Sequence, residues 1–346
     1  MEESLSQQKF ETNRDELFDV LKGIAIILVI VGHCHLTKLR PIIYSFHIPI
    51  FFFITGYFLK IRPLRQEITL SIKRLIIPYI FTATCICIAT FIKEALNYED
   101  SDGSLSYKAI VTHLIGFRGS VVPQWIGSHI DVLWFILALF WARIISISLI
   151  KRIKSNILLL LAFLFLGIAG IFLDKSIFIP YCISQGLCAS SFIFAGYIAN
   201  KYKVLDSEYS KKYIPILTIL WIYSWHQGAI NMAICKYNVN YILAWGGALG
   251  AIILLYSSTK ALYTSNSFLW RSLLFCGRFS LIIFCVHAFE FSICNWKSLA
   301  LTNFIPIDYY SIFLIICRLT IAITFTFVFL KIKPIRENIF QLKKYF

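Results

Sequence analysis

The stretch Asp15–Lys60, DELFDVLKGIAIILVIVGHCHLTKLRPIIYSFHIPIFFFITGYFLK, decides how the chain is read. Two apolar runs are joined by a short polar turn, and the first run carries Lys22 and His33 within it. On a straight helix the steps from Lys22 to His33 make about three full turns, so both side chains leave one face roughly 16 Å apart. Taken singly, each has a bland reading: Lys22 snorkels to the headgroups, and His33 is a helix-packing histidine. Lipid does not solvate ionisable groups, so they face the interior of a bundle and mark function. Two of them on one stripe favour function.

The rest of the composition sets the solvent. Of 346 residues, 58% are hydrophobic and 15% charged, with a mean hydropathy of +0.74, far from the balance of a soluble globule. The fold class expected is an all-α integral membrane protein. Its net charge of +15 does not point to nucleic acid, because the basic residues sit in short segments between apolar spans. Ten cysteines are scattered through apolar segments, and only Cys85 and Cys87 are closely spaced. They read as free buried thiols, and no metal site is expected; His33, Cys34 and His35 point to different helix faces.

Spans of about 20 apolar residues give about ten candidate transmembrane helices in one bundle. They fall near 17–37, 41–60, 72–93, 131–150, 156–174, 178–200, 212–230, 239–258, 278–297 and 309–331. With both termini cytoplasmic, 23 of the 33 basic residues fall in inner segments and 8 in outer ones, as the positive-inside rule requires. Residues 1–16 form a cytoplasmic segment, 17–331 the transmembrane domain, and 332–346 a basic tail lying on the inner leaflet. The long non-apolar stretch 94–130 is expected as an external loop that closes over or binds a polar ligand.

The opening stretch also resembles a known family. Asp19, Lys22, Gly23 and His33, then Phe46-His47-Ile48-Pro49 and Phe52-Phe53-Ile54-Thr55-Gly56-Tyr57, are similar to the start of membrane-bound acyltransferase family 3. Weaker likenesses follow at Lys73-Arg74-Leu75-Ile76-Ile77-Pro78-Tyr79, at Leu133-Trp134-Phe135, and at Gly277-Arg278-Phe279-Ser280-Leu281 with the later His287. Such an enzyme transfers an acyl group, most often acetyl from acetyl-CoA, to a hydroxyl of a cell-surface or lipid-linked sugar. The setting implied is the bacterial inner membrane, modifying O-antigen or another surface polysaccharide.

On that resemblance the candidate catalytic residues are His33, His47, His287 and Glu290. A neutral imidazole is suited to take the proton of a sugar hydroxyl, and His33 is the expected base. His47 orients it or binds the acceptor, and Glu290, one turn beyond His287, completes a supporting pair. Lys22, Arg74 and Arg278 are the candidate donor-binding residues, since CoA phosphates need cations at a cytoplasmic mouth. Trp134 and Phe135 are expected to wall the acceptor pocket, and Asp131 to cap the helix before them. Arg318 lies deep and needs a counter-charge, Glu290 or a ligand. Direct transfer and a covalent relay on His33 both stay open. The competing reading is a transporter or flippase that moves a lipid-linked sugar or small anion without chemistry.

Overall fold

The structure is a computed structural model and describes residues 15–96, 104–125, 129–228, 230–237, 240–264, 267–296 and 307–342. Helix α1 (Glu16–Gly32) starts at Asp15, whose carboxylate accepts from the Leu17 amide at 3.0 Å. Glu16 and Asp19 then place negative charge at the positive end of the helix dipole. The chain turns through His35, which sits in the left-handed region at φ +60°.

The span expected over 41–60 is not one helix. It divides into α2 (Arg40–Tyr44) and α3 (Pro49–Tyr57), each with a proline in its first turn. Proline has no amide hydrogen and crowds the preceding turn, so it starts a helix more easily than it continues one. The break sets His47 between the two pieces.

Helix α4 (Leu64–Ser71) passes through a π-helical turn (Ile72–Ile76) into α5 (Ile77–Leu96). The stretch 94–130 is not a plain loop either, because α6 (Ser104–Ile115) forms inside it. Glu94 supplies the cap: its carboxylate accepts from the amides of Leu105 at 3.1 Å and Ser106 at 2.9 Å, and from the Ser106 hydroxyl. Glu99, Asp100 and Asp102 lie outside the described residues.

After a 3-10 turn come α7 (Trp134–Arg152), α8 (Asn156–Ser176) and α9 (Ile183–Lys201). Ser155 caps α8 through the Leu158 amide. Helix α10 (Glu208–His226) contains Pro215, and α11 (Tyr241–Leu262) is capped by Asn240. Helices α12 (Phe268–Arg278) and α13 (Ser280–Ile293) meet at a 75° bend, and α14 (Ile307–Lys331) closes the bundle.

All regular secondary structure among the described residues is helical, apart from one isolated bridge between Asn231 and Lys236. Among the described residues five helices are long and apolar enough to cross a membrane: Leu64–Leu96, Asp131–Arg152, Asn156–Ser176, Tyr241–Leu262 and Tyr309–Lys331. The bent α12–α13 pair makes a sixth if it is one span. The other expected spans are helical but shorter, broken or more polar. α9, for instance, buries Ser184, Gln185, Ser190 and Ser191.

Two close crossings hold α1 and α3 in place. A Cβ built on Gly23 would strike the Leu273 carbonyl, and one on Gly277 would strike the Asp19 carbonyl, so α1 and α12 touch backbone to backbone. Gly56 and Gly196 stand in the same relation between α3 and α9, against the carbonyls of Ile193 and Phe53. Small residues permit such approaches, which lipid by itself does not drive.

Candidate active site

Lys22, Ile26, Val29 and His33 follow one another along a single stripe of α1, and that stripe borders two cavities. The first, about 440 Å³, lies toward the start of α1 and is lined by Lys22 and Ile26. The second, about 450 Å³, lies toward its end and is lined by Val29 and His33.

The first cavity is cationic. Lys60, Arg62, Arg74 and Arg143 line it with Lys22, and no carboxylate borders it among the described residues. Lys22 is steadied from behind, its Nζ 2.7 Å from an oxygen of the buried Asp19. Arg278 closes the other side of that carboxylate, with Nε at 3.7 Å, and reaches Glu16 at 3.4 Å. Arg278 does not line the cavity; its guanidinium holds Asp19 while Lys22 faces the space. Arg74 enters from the π-helical turn, a geometry common at functional sites.

Arg143 and Arg62 were invisible as site residues in the sequence, where both counted as ordinary inner-face charge. The clue is Glu67, an acid inside that basic segment. Its fully buried carboxylate pairs with Arg143, lies 3.5 Å from Arg62 and accepts from Ser71 Oγ at 3.2 Å. It fixes two guanidinium groups at the cavity edge and neutralises part of their charge.

The second cavity gathers the histidines. His33 and His47 both line it. His47 Nδ1 donates to the Ile43 carbonyl at 2.7 Å; in the neutral ring this leaves Nε2 as a free acceptor. The His33 ring packs against His287 and Phe291, with centroids at 5.5 and 4.9 Å. Its backbone carbonyl accepts from Arg318 Nη1 at 3.2 Å.

Behind His33 sits a buried carboxylate network. His287 Nδ1 donates to Glu290 Oε2 at 3.1 Å, while Arg318 Nε lies 3.2 Å from Oε1 and Trp296 Nε1 donates to the same oxygen. Glu290 is therefore the counter-charge of Arg318. The His287 bond directs Nδ1–H to the acid and leaves Nε2 with no hydrogen-bond partner among the described residues. A carboxylate that fixes one ring nitrogen sets the tautomer and direction of the other.

The two cavities share Phe135 and Phe284 as lining residues. Their rings meet with centroids 5.3 Å apart, and Phe135 packs in turn on Phe51 and Phe52 at 5.5 and 5.3 Å. An apolar, aromatic contact thus separates the Lys22 space from the His33 space. Trp134 and Phe135 do wall the second cavity. Asp131 does not act as a helix cap. It sits at φ +43° at the head of a 3-10 turn without capping, and its carboxylate turns to Arg118 at 4.0 Å and Ser292 Oγ at 3.3 Å.

The family profile described as an acyltransferase domain matches residues 15–329, nearly the whole chain. The chain is similar to nodulation protein NolL of Mesorhizobium japonicum, 31% identical over 159 residues. The match covers 41% of this chain and 37% of that protein, so well under two thirds of the relative is represented. No solved structure matches the chain. The protein belongs to acyltransferase family 3.

Proposed function

We propose that the protein transfers an acyl group, acetyl in the first instance, from a cytosolic acyl-CoA to a hydroxyl of a cell-surface or lipid-linked sugar. One observation carries the proposal: the α1 stripe that puts Lys22 in one cavity puts His33 in the other, and the two spaces meet at Phe135 and Phe284. Charge orients it. The cationic cavity opens among the segments that hold most of the basic residues, hence toward the cytoplasm. The setting that fits is a multi-pass protein of the bacterial inner membrane.

Lys22, Arg74, Arg143 and Lys60 then hold the CoA phosphates, with guanidinium forks matching phosphate oxygens in pairs. The pantetheine arm runs along α1 and brings the thioester past the aromatic contact to His33. His33 takes the proton of the sugar hydroxyl as its oxygen attacks the thioester carbonyl carbon. The tetrahedral intermediate collapses, the carbon–sulfur bond breaks, and the imidazolium returns the proton to the thiolate. The products are a sugar ester and free CoA. His287, held by Glu290, positions His33 from behind, and His47 presents a free Nε2 to the acceptor.

Purified protein with labelled acetyl-CoA and a glycan acceptor tests the reading. Acceptor-dependent release of CoA thiol with label in the glycan is expected. Thiol release that ignores the acceptor, or none at all, contradicts it. Family membership disfavours a carrier without chemistry, and a carrier would release no thiol.

A further inference from the structure

We propose that the His33 cavity is built for an acceptor that bears an anionic group, a carboxylate or phosphate, held by Arg118, Lys236 and Arg40. The inference rests on the acyl-transfer reading above and adds the chemical class of the acceptor.

Three cations line this cavity against one carboxylate, Asp131, among the described residues. They come from separate parts of the chain: Arg40 opens α2, Arg118 follows α6, and Lys236 closes the bridged turn that begins at Asn231. Chance dressing is a poor account of this convergence. In the topology the sequence supports, the outer segments hold only 8 basic residues, and three of them meet at this one space.

Arg118 gives the strongest sign. Its side chain is 24% exposed, and its Nε is buried with no hydrogen-bond partner among the described residues. Asp131 lies at 4.0 Å, the outer limit of an ion pair, and its other oxygen is engaged by Ser292. A buried guanidinium donor left open costs free energy unless an acceptor arrives to meet it.

The backbone that carries Arg118 is nevertheless held firmly. Its carbonyl accepts from Gln185 Nε2 at 2.6 Å, and Ser120 nearby is tied to Asp174 at 2.6 Å. A pinned arginine with an open planar fork is pre-organised for a carboxylate or phosphate. Arg40 lies over the Tyr44 ring at 5.1 Å, and Lys236 is exposed at the rim, where each adds charge with no carboxylate paired to it among the described residues. Arg318, in the adjoining space, does not join them, because Glu290 neutralises it.

The anion has two sources, a uronic-acid sugar or the phosphate of a polyprenyl-linked sugar. Binding without donor separates them. Full-length protein in zwitterionic nanodiscs is titrated with a uronic-acid oligosaccharide, its neutral counterpart and a short-chain polyprenyl phosphate. At least one anionic probe is expected to bind tenfold or more tighter than the neutral sugar, with added salt weakening it.

Arg118→Gln and Lys236→Gln should each erase most of that preference, and Arg118→Lys should keep part of it. Lys236 is exposed, so its variant should fold even if the Arg118 variant does not. The better anionic probe names the source. Equal binding of all three probes, no binding of any, or a preference that survives both substitutions would overturn the proposal. Thiol release from acetyl-CoA, measured on the same preparation, reports separately on acyl transfer.

Discussion

At the scale of single residues, His33 and Glu290 carry different kinds of consequence. His33 touches the reacting atoms in the proposed mechanism, so His33→Ala should lower kcat by about 10²–10⁴-fold, the range a general base supplies. Acyl-CoA binding should change little, because Lys22 and the other cations lie in the other cavity. Glu290→Gln acts differently. It leaves the buried Arg318 without its counter-charge, and breaking such a pair from one side costs about 3–5 kcal/mol. Thermal unfolding should show a large drop in Tm together with lost activity, whereas His33→Ala should leave Tm nearly unchanged.

The sequence displayed these groups because ionisable side chains stand out against apolar spans. It did not separate Arg62 and Arg143 from inner-face charge, since their distinguishing partner, Glu67, is brought to Arg143 only by folding. Nor did it show that Arg278 braces Asp19 instead of lining the cavity.

At the scale of elements, the motif glycines are explained by contact between backbones. Gly277→Ala would push a methyl group into the Asp19 carbonyl and separate α12 from α1. Overpacking of this kind costs about 1–3 kcal/mol, and it would also shift Asp19, which steadies Lys22. Lower Tm and a raised KM for acyl-CoA are expected together; unchanged values for both would show that the crossing is looser than described.

Hydropathy located the helical segments but not their breaks. Pro49 divides α2 from α3 although Ile48 and Ile50 flank it, and α12, which carries Arg271, precedes the expected span over 278–297 and meets α13 at a 75° bend. The helix inside 94–130 escaped notice because its cap, Glu94, comes from the preceding helix.

At the scale of the whole molecule, Phe135 and Phe284 decide what passes between the two cavities. Phe284→Leu, a milder loss than Phe284→Ala, should widen that contact. Butanoyl-CoA or hexanoyl-CoA should then gain on acetyl-CoA as donor, by about tenfold in kcat/KM if the added space is worth about 1.4 kcal/mol to the longer chain. An unchanged donor ratio would place the acyl group elsewhere. The aromatic residues were legible as a wall of one pocket. That Phe135 borders both cavities was not, because Phe284 meets it from a helix far away in sequence.

The proposed reaction reaches across the membrane along α1. Protein reconstituted in one orientation into sealed vesicles, with labelled acetyl-CoA only on the side of Lys22 and the glycan acceptor only on the side of His33, tests it most directly. Labelled ester is expected on the acceptor side, with CoA thiol released in proportion on the donor side, and neither with His33→Ala. Ester formed only when donor and acceptor share one compartment, or formed undiminished by His33→Ala, would contradict it.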